Sequence, residues 1–179
     1  NIYFHQDTAT GIFGINPVSM VTPESGSAAI QLGKGDVIND FQYLSDEVGA
    51  FHQWGITKSD GAIYWYDGIG NKICRTTGQQ IEMLSDGKGL KGHFGDNYFG
   101  SIKNVDNTLI QESRGVIATF DHKHSEVLFT LKDKQGQPYS IHNTLVFSEF
   151  VQMFTSYYSA TPKLYISTRD KLISIPYAP

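Results

Sequence analysis

The sequence predicts a mainly β fold made of degenerate, propeller-like repeats of antiparallel hairpins. Three observations support this prediction: aromatic and β-branched residues flank short polar turns, one hairpin pattern recurs along the chain, and 18 glycines accompany an aromatic content of 13%. β-branched and aromatic side chains favour strands, whereas glycine favours tight turns. We expect residues 1–179 to form a single β-rich domain and to be a fragment of a longer chain, since the sequence starts inside a strand-like run.

The first two predicted hairpins, residues 2–15 and 63–76, align with each other without a gap. The first reads IYFHQDTATGIFGI and the second IYWYDGIGNKICRT, so that Ile2 aligns with Ile63. In both segments an apolar run, a polar turn and a second apolar run follow one another. This order is the usual signal of a β-hairpin.

Two weaker copies of the hairpin follow at residues 127–141 and 164–175. The first contains the run VLF, a polar turn at Gly136 and a returning strand, and the second contains LYI, a tight Arg169-Asp170 turn and LISI. The four copies are unequally spaced, whereas propeller blades repeat at about 40 to 50 residues. We therefore expect propeller-like repeats that carry insertions, and the sequence leaves open whether they close into a ring.

A further strand is predicted ahead of two of the hairpins. Gly55 opens one such strand and Gly115 the other, and an Asp follows each glycine shortly before the hairpin begins. The strongly apolar residues 145–158 are predicted to be mostly strand. The glycine-rich residues 87–110 are predicted to form a loop with short turns.

Residues 37–48 have two interpretations. The first is a short helix that ends at Gly49, because apolar residues recur at helical spacing: Val37, Phe41, Leu44 and Val48. The second is a strand in which Phe41 and Tyr43 alternate with polar residues. The predicted fold therefore includes one possible short helix at about residues 37–48.

Composition and charge exclude some classes of partner. The chain carries 14 basic and 18 acidic residues, a formal net charge of −4 and no run of Lys or Arg. No nucleic-acid partner is expected, because binding to duplexes depends on clustered phosphate contacts. The single cysteine, Cys74, cannot form an internal disulfide. No membrane span is expected, since no apolar run approaches the roughly 20 residues that a spanning helix needs.

Each candidate chemical motif also has a structural explanation. The DHKH segment, residues 121–124, has residue types that bind metals, but it also fits a polar turn between GVIATF and EVLFTL. Glu149 lies in an apolar segment, as the acid of a glycoside hydrolase would, and a solvent-facing strand position explains it equally well. Residues 68–72 lack the Gly-Lys-Ser/Thr ending of a phosphate loop. We therefore predict no catalytic, cofactor-binding or metal-binding residue, no cofactor and no enzymatic activity.

Aromatic residues are the remaining candidates for a contact site. Trp65, Tyr66 and Tyr157, with their aromatic neighbours, would form an exposed platform for a glycan or for another protein. The alternative is that alternate members of these runs fill the core while the others cover strand edges. The sequence predicts contact residues only on the first interpretation.

Four segments occur in a distinctive order: GAFHQWGI, the IYWYD hairpin, EVLFT and FTSYYSATPKLYI. In this order they resemble a family of large virion structural proteins of crAss-like bacteriophages, of the tail muzzle or stabilisation type. The resemblance covers about residues 36–175. It implies a β-rich structural subunit at the head–tail junction or tail end of the particle, assembled as a ring, and it implies no functional residue.

The leading hypothesis is a non-enzymatic component of the phage virion, located in the tail or neck and made in the bacterial host cytoplasm. It would pack against other virion proteins and against copies of itself in a ring. The alternative is a carbohydrate-binding module that adsorbs to a host surface glycan. A third, less favoured hypothesis is a glycan hydrolase fragment that depends on Glu149 or Asp121.

Overall fold

Antiparallel strands dominate the fold, which confirms the predicted class. The computed structural model describes residues 2–16, 19–21, 30–32, 37–50, 52–78, 80–96, 115–132 and 143–176. Its strands are β1 (Ile2–His5), β2 (Thr10–Asn16), β3 (Ser19–Val21), β4 (Ile30–Leu32), β5 (Val37–Ser45), β6 (Ile56–Lys58), β7 (Ile63–Asp67), β8 (Lys72–Thr76), β9 (Ile81–Met83), β10 (Gly115–Asp121), β11 (Glu126–Lys132), β12 (Asn143–Ser148), β13 (Met153–Tyr158), β14 (Leu164–Ser167) and β15 (Leu172–Ile175). The described helices are α1 (Leu84–Gly87) and α2 (Lys91–Asp96), and a 3₁₀ turn spans Gln53–Gly55.

Most of the strands form three sheets and a hairpin that follow one another along the chain. The N-terminal sheet has the order β1-β2-β5, the second sheet β6-β7-β8-β9 and the third sheet β10-β11-β12-β13. β14 and β15 form the C-terminal hairpin, and β3 pairs with β4 in a separate hairpin. The second and third sheets are antiparallel meanders in chain order. A four-stranded meander is the unit of a propeller blade, and closure of such units into a ring stays a prediction.

One face of the second sheet packs against the third sheet and forms the main core. Tyr64, Tyr66 and Ile73 project from this face and are fully buried, since alternate residues of a strand share a face. They meet Phe129 and Phe147 of the third sheet in one apolar cluster. Complete burial of a large apolar side chain contributes about 1.5–3 kcal/mol, so this junction is a major source of stability.

The opposite face of the second sheet packs against the N-terminal sheet. Trp65 and Cys74 lie on this face in a second apolar cluster with Val48 and Ala50, and the His5 ring lies 4.9 Å from the Trp65 ring. The C-terminal hairpin in turn contacts the third sheet. N-terminal sheet, second sheet, third sheet and C-terminal hairpin are therefore successive layers, in the order of the chain.

The two aligned hairpins, residues 2–15 and 63–76, are confirmed as β1-β2 and β7-β8. Their registers differ, because Ile2 pairs with Phe13 whereas its counterpart Ile63 pairs with Thr76. The difference is two residues, and a shift by an even number keeps each side chain on the same face of the sheet. The alignment therefore gives the correct faces but not the correct turn.

The fourth predicted hairpin, residues 164–175, is confirmed as β14-β15. In the third, residues 127–141, the first strand is confirmed as part of β11, whereas the turn at Gly136 and the returning strand lie outside the described residues. β11 pairs with β10 on one side and with β12 on the other. The strands predicted after Gly55 and Gly115 are confirmed as β6 and β10, and residues 145–158 form most of β12 and β13 around a short turn.

The helix predicted at residues 37–48 is wrong, and the strand alternative is confirmed. β5 pairs with β2 along its whole length, with Phe41 opposite Phe13 and Tyr43 opposite Gly11. The apolar spacing fits a helix, but Asp40 accepts a hydrogen bond from the Phe41 amide, and such local bonds compete with helix formation. Pairing with β2 then determines the structure.

The loop predicted at residues 87–110 is wrong in its first part. α2 occupies Lys91–Asp96, and residues 97–110 lie outside the described residues. A helix of six residues is too short to show a helical period in the sequence; its buried anchor is Phe94, whose ring lies 6.2 Å from that of Tyr66. Neither described helix has the length or the apolar character needed to span a bilayer.

Candidate interaction surfaces

Two of the three predicted contact residues lie in the interior. Trp65 and Tyr66 are 0% exposed, because β7 is covered on both faces. The Tyr66 hydroxyl donates a hydrogen bond to Asn71 Oδ1 at 2.5 Å, which ties the ring to the β7-β8 turn. Trp65 and Tyr66 therefore do not form the predicted exposed platform. Both fill the core, as the alternative interpretation predicted.

Tyr157 remains accessible. It lies on β13, an edge strand of the third sheet, and is 55% exposed, next to the partly exposed Tyr158. Its ring lies 6.1 Å from that of His93 in α2. Tyr157 therefore stays a candidate for contact with a glycan or a protein.

A larger aromatic surface lies on the N-terminal sheet. We call this surface the aromatic face, and it consists of Phe4, Phe13, Phe41 and Tyr43. Ring centroids are 4.7 Å apart for Phe4 and Phe13, 5.5 Å for Phe4 and Tyr43, and 5.6 Å for Phe41 and Tyr43. Strand pairing places all four side chains on one side of the sheet, opposite to the side from which His5 contacts Trp65.

The aromatic face is solvent-accessible over much of its area. Phe41 is 56% and Tyr43 45% exposed. The Phe4 ring lies over Gly11, where a Cβ would collide with it, so glycine at this position permits the packing. Sequence reasoning missed this surface. Phe4 aligns with Trp65, which packs against the N-terminal sheet, but the sequence does not give the order of the layers.

A second exposed apolar site is the β12-β13 turn, where Phe150 is 92% and Val151 54% exposed. The turn is held rigidly at its base. The Gln152 amide donates to the Ser148 carbonyl at 2.8 Å, Tyr64 donates to Glu149 Oε1 at 2.7 Å, and the Arg75 guanidinium donates to Gln152 Oε1. Residues of the second sheet thus fix a turn of the third sheet and leave its Phe150 tip free to contact a partner.

The candidate catalytic groups are engaged in structural bonds. In the DHKH turn, Asp121 accepts hydrogen bonds from the Lys123 amide at 2.9 Å and pairs with His124 Nδ1 at 2.8 Å. Burial disfavours ionisation of Asp121, but these bonds outweigh it and lower its pKa. Burial raises the pKa of the Cys74 thiol. Within the part of the chain that the structure describes, no three acidic, His or Cys side chains are grouped to hold a metal.

A cleft of about 660 Å³ separates the N-terminal sheet from the second sheet on one side. β1 lines it with Tyr3 and His5, and β6 and the start of β7 line it with Ile56, Lys58 and Ile63. His5 Nδ1 lies 3.1 Å from Thr10 Oγ1, and the Thr10 hydroxyl donates to the Val48 carbonyl at 2.9 Å. Since Thr10 uses its proton on Val48, His5 donates from Nδ1, and burial lowers the pKa of this histidine to about 4.

Together these features define a layered β module with apolar outer surfaces. The sequence matches the family model of the crassvirus muzzle protein over residues 1–177. The chain belongs to this family and is therefore part of a phage virion protein, as the resemblance implied. It is 25% identical over 146 residues to the muzzle protein of Bacteroides phage crAss001, and the match covers 80% of this chain and 10% of that protein. The chain spans about a tenth of the length of this relative.

Proposed function

We propose that the chain is a non-enzymatic structural module of the muzzle, in the tail or neck of the virion, and that it acts by packing against other virion proteins and against copies of itself in a ring. The protein would be made in the bacterial host cytoplasm. The observation that carries the proposal is the aromatic face, four rings linked by successive ring contacts on an open side of the N-terminal sheet. Contiguous exposed apolar surface of this kind marks sites of protein association.

The layers inside the chain support this proposal. Each junction between successive sheets is apolar: Trp65 packs against the N-terminal sheet and Tyr64 against the third sheet. The aromatic face offers the same kind of apolar contact on the outside of the module. Phe150 adds a protruding apolar contact of a type that is enriched at the centres of interfaces. Exposed apolar surfaces of this kind on the outside of the module support a role in packing against other proteins.

The glycan-binding and hydrolase hypotheses have less support. The glycan-binding hypothesis depended on an exposed platform at Trp65 and Tyr66, and both residues are buried. The hydrolase hypothesis depended on Asp121 or Glu149, and these carboxylates bond to His124 and to Tyr64. Assembly is therefore the function that the geometry favours.

Peptide mass spectrometry on gradient-purified virions tests the proposal. The peptide GAIYWYDGIGNK, residues 61–72, should be present at a copy number comparable with other tail components and in a multiple of six or twelve per particle. Virions whose protein carries Phe41→Lys should lose this peptide or fail to form tails. The matched control is Ile69→Lys, which adds the same charge at a residue that is 40% exposed outside the aromatic face. Absence of the peptide from normal virions would refute the proposal.

A further inference from the structure

In the described residues the N-terminal sheet has three strands, one fewer than the second and third sheets. In the second sheet β6 precedes β7 in sequence and pairs with its outer edge, and in the third sheet β10 does the same for β11. The alignment of β1-β2 with β7-β8 makes β1 the counterpart of β7. Among the described residues, β1 has no strand in the place that β6 occupies beside β7.

Within the described part of the chain, the edge of β1 presents backbone groups that pair with no other strand. The Gln6 amide bonds to the Ala9 carbonyl at 2.8 Å, so these residues form a hydrogen-bonded pair. Because bonded and non-bonded pairs alternate in an antiparallel ladder, Phe4 bonds to β2 while the N–H and C=O of Tyr3 point away from it. Tyr64, the counterpart of Tyr3, directs the same groups to Thr57 of β6, since Ser59 and Ala62 form the bonded pair of that turn at 2.9 Å.

Space for the additional strand is already present. The 660 Å³ cleft is lined on one side by β1 and on the other by β6. His5 on β1 packs against Trp65 on β7, so a strand beside β1 would lie over β6, which is where the cleft is. The cleft therefore has the position that a counterpart of β6 would fill.

We propose that the edge of β1 binds one further extended strand of the longer muzzle polypeptide. This strand pairs with β1 as β6 pairs with β7 and completes the N-terminal sheet. The strand runs antiparallel to β1 and bonds to the backbone of Tyr3. Its side chain opposite Tyr3 faces Ile56 and Ile63 and matches Thr57, so a β-branched, uncharged residue fits there. Such strand addition uses main-chain bonds for affinity and alternate side chains for specificity.

The inference depends on the fold and not on the proposed function. A result that overturns the strand pairing would therefore leave the proposed function intact, and the reverse also holds. A graft within the chain itself tests it. The segment GITKSDG, residues 55–61, is copied directly in front of Asn1, because Ala62 aligns with Asn1 and the repeat then continues without a gap. Hydrogen exchange of the Tyr3 amide should slow by at least about tenfold relative to the unmodified chain, while Phe4, already bonded to β2, should change little.

Two proline variants of the grafted segment provide matched controls. Proline at the copy of Thr57 removes the N–H that would bond to the Tyr3 carbonyl and places its ring against β1, so the strand should not pair and the protection of the Tyr3 amide should be lost. Proline at the copy of Ile56, whose N–H points away from β1, should leave the protection in place, because proline is tolerated where no ladder bond is made. Equal exchange of Tyr3 in the grafted and the unmodified chain would overturn the proposal.

A measurement on virions identifies the strand that pairs with the β1 edge in the assembled particle. The Tyr3 amide, which points away from β2, should exchange slowly in intact particles and quickly in the isolated chain at every protein concentration. Protection that rises with the concentration of the isolated chain would identify a second copy as the occupant and would overturn the assignment to the longer polypeptide. Fast exchange of the Tyr3 amide within particles would show that the edge stays open and would also overturn it.

Discussion

The hydroxyl of Tyr64 donates a hydrogen bond to Glu149 at 2.7 Å and joins two sheets across 85 positions of sequence. Tyr64 lies on β7 and Glu149 in the β12-β13 turn. The Tyr64 ring also packs 5.9 Å from Phe147, so that one residue contributes both to the apolar core and to the polar bond at its margin. This contact couples the rigid interior to the exposed Phe150 tip.

Replacement of Tyr64 by Phe should destabilise the protein by about 1–2 kcal/mol, because the hydroxyl bond is lost while the ring is kept. The measurement is urea unfolding at pH 7. Tyr157→Phe is the matched control, since the same atom is removed from an exposed side chain, and it should change the unfolding free energy by less than about 0.5 kcal/mol. Equal effects of the two substitutions would contradict the role of the bond.

The same bond predicts a pH dependence. Burial, reinforced by the bond to Glu149, raises the pKa of Tyr64 to about 12. The folded protein keeps the phenol proton at pH values where the unfolded chain loses it, so the stabilisation is fully present below about pH 10 and is lost as the pH rises through 12. The difference in unfolding free energy between wild type and Tyr64→Phe should therefore shrink above pH 10, and a constant difference would argue against it.

His5 predicts a second pH dependence, on the acid side. Burial lowers its pKa to about 4 from an ordinary value of 6.5. The unfolded chain therefore binds a proton that the folded protein excludes, and the stability contributed above pH 6.5 is lost as the pH falls toward 4. In urea unfolding, wild type should lose more stability than His5→Gln between pH 7 and pH 4.5. His122→Gln, in an exposed turn, should follow wild type, and identical slopes for all three proteins would exclude this effect.

Much of the fold followed from the sequence because its signals are local. Alternation of apolar residues on either side of a polar turn identified β1-β2, β7-β8 and β14-β15, and the self-alignment identified their shared faces. β5 was ambiguous because its apolar spacing fits two periods, and only its pairing partner, β2, decides between them. α2 is too short to have a period.

The contact residues were harder to predict because the exposure of a strand residue depends on whether another sheet packs against its face, which the sequence of the strand does not show. Tyr66 and Tyr157 have similar aromatic neighbours in sequence, but β7 has sheets on both faces and β13 lies at an edge. The aromatic face is likewise visible only after the layer order is known, since Phe4 would be a core residue wherever another sheet preceded it.

Trp65 and its counterpart Phe4 should respond differently to truncation. Trp65→Ala removes a fully buried ring and should cost about 3–5 kcal/mol. Phe4→Ala removes a half-buried ring whose neighbours are exposed, and the loss should be roughly half of the 1.5–3 kcal/mol that complete burial of such a side chain contributes. Thermal unfolding of both variants provides the measurement. A loss for Phe4→Ala as large as that for Trp65→Ala would show that the aromatic face is a structural core.

Phe150 should matter for assembly and not for folding. Because the side chain is 92% exposed, Phe150→Ser should change the unfolding free energy by less than about 0.5 kcal/mol, yet reduce incorporation of the protein into virions. Arg75→Met keeps Phe150 but removes the donor to Gln152 that fixes the turn, so incorporation should fall by a smaller factor. Ile69→Ser, in the β7-β8 turn, is the matched control and should assemble normally. Normal assembly of Phe150→Ser would show that the tip makes no essential contact, whatever the stability of the chain.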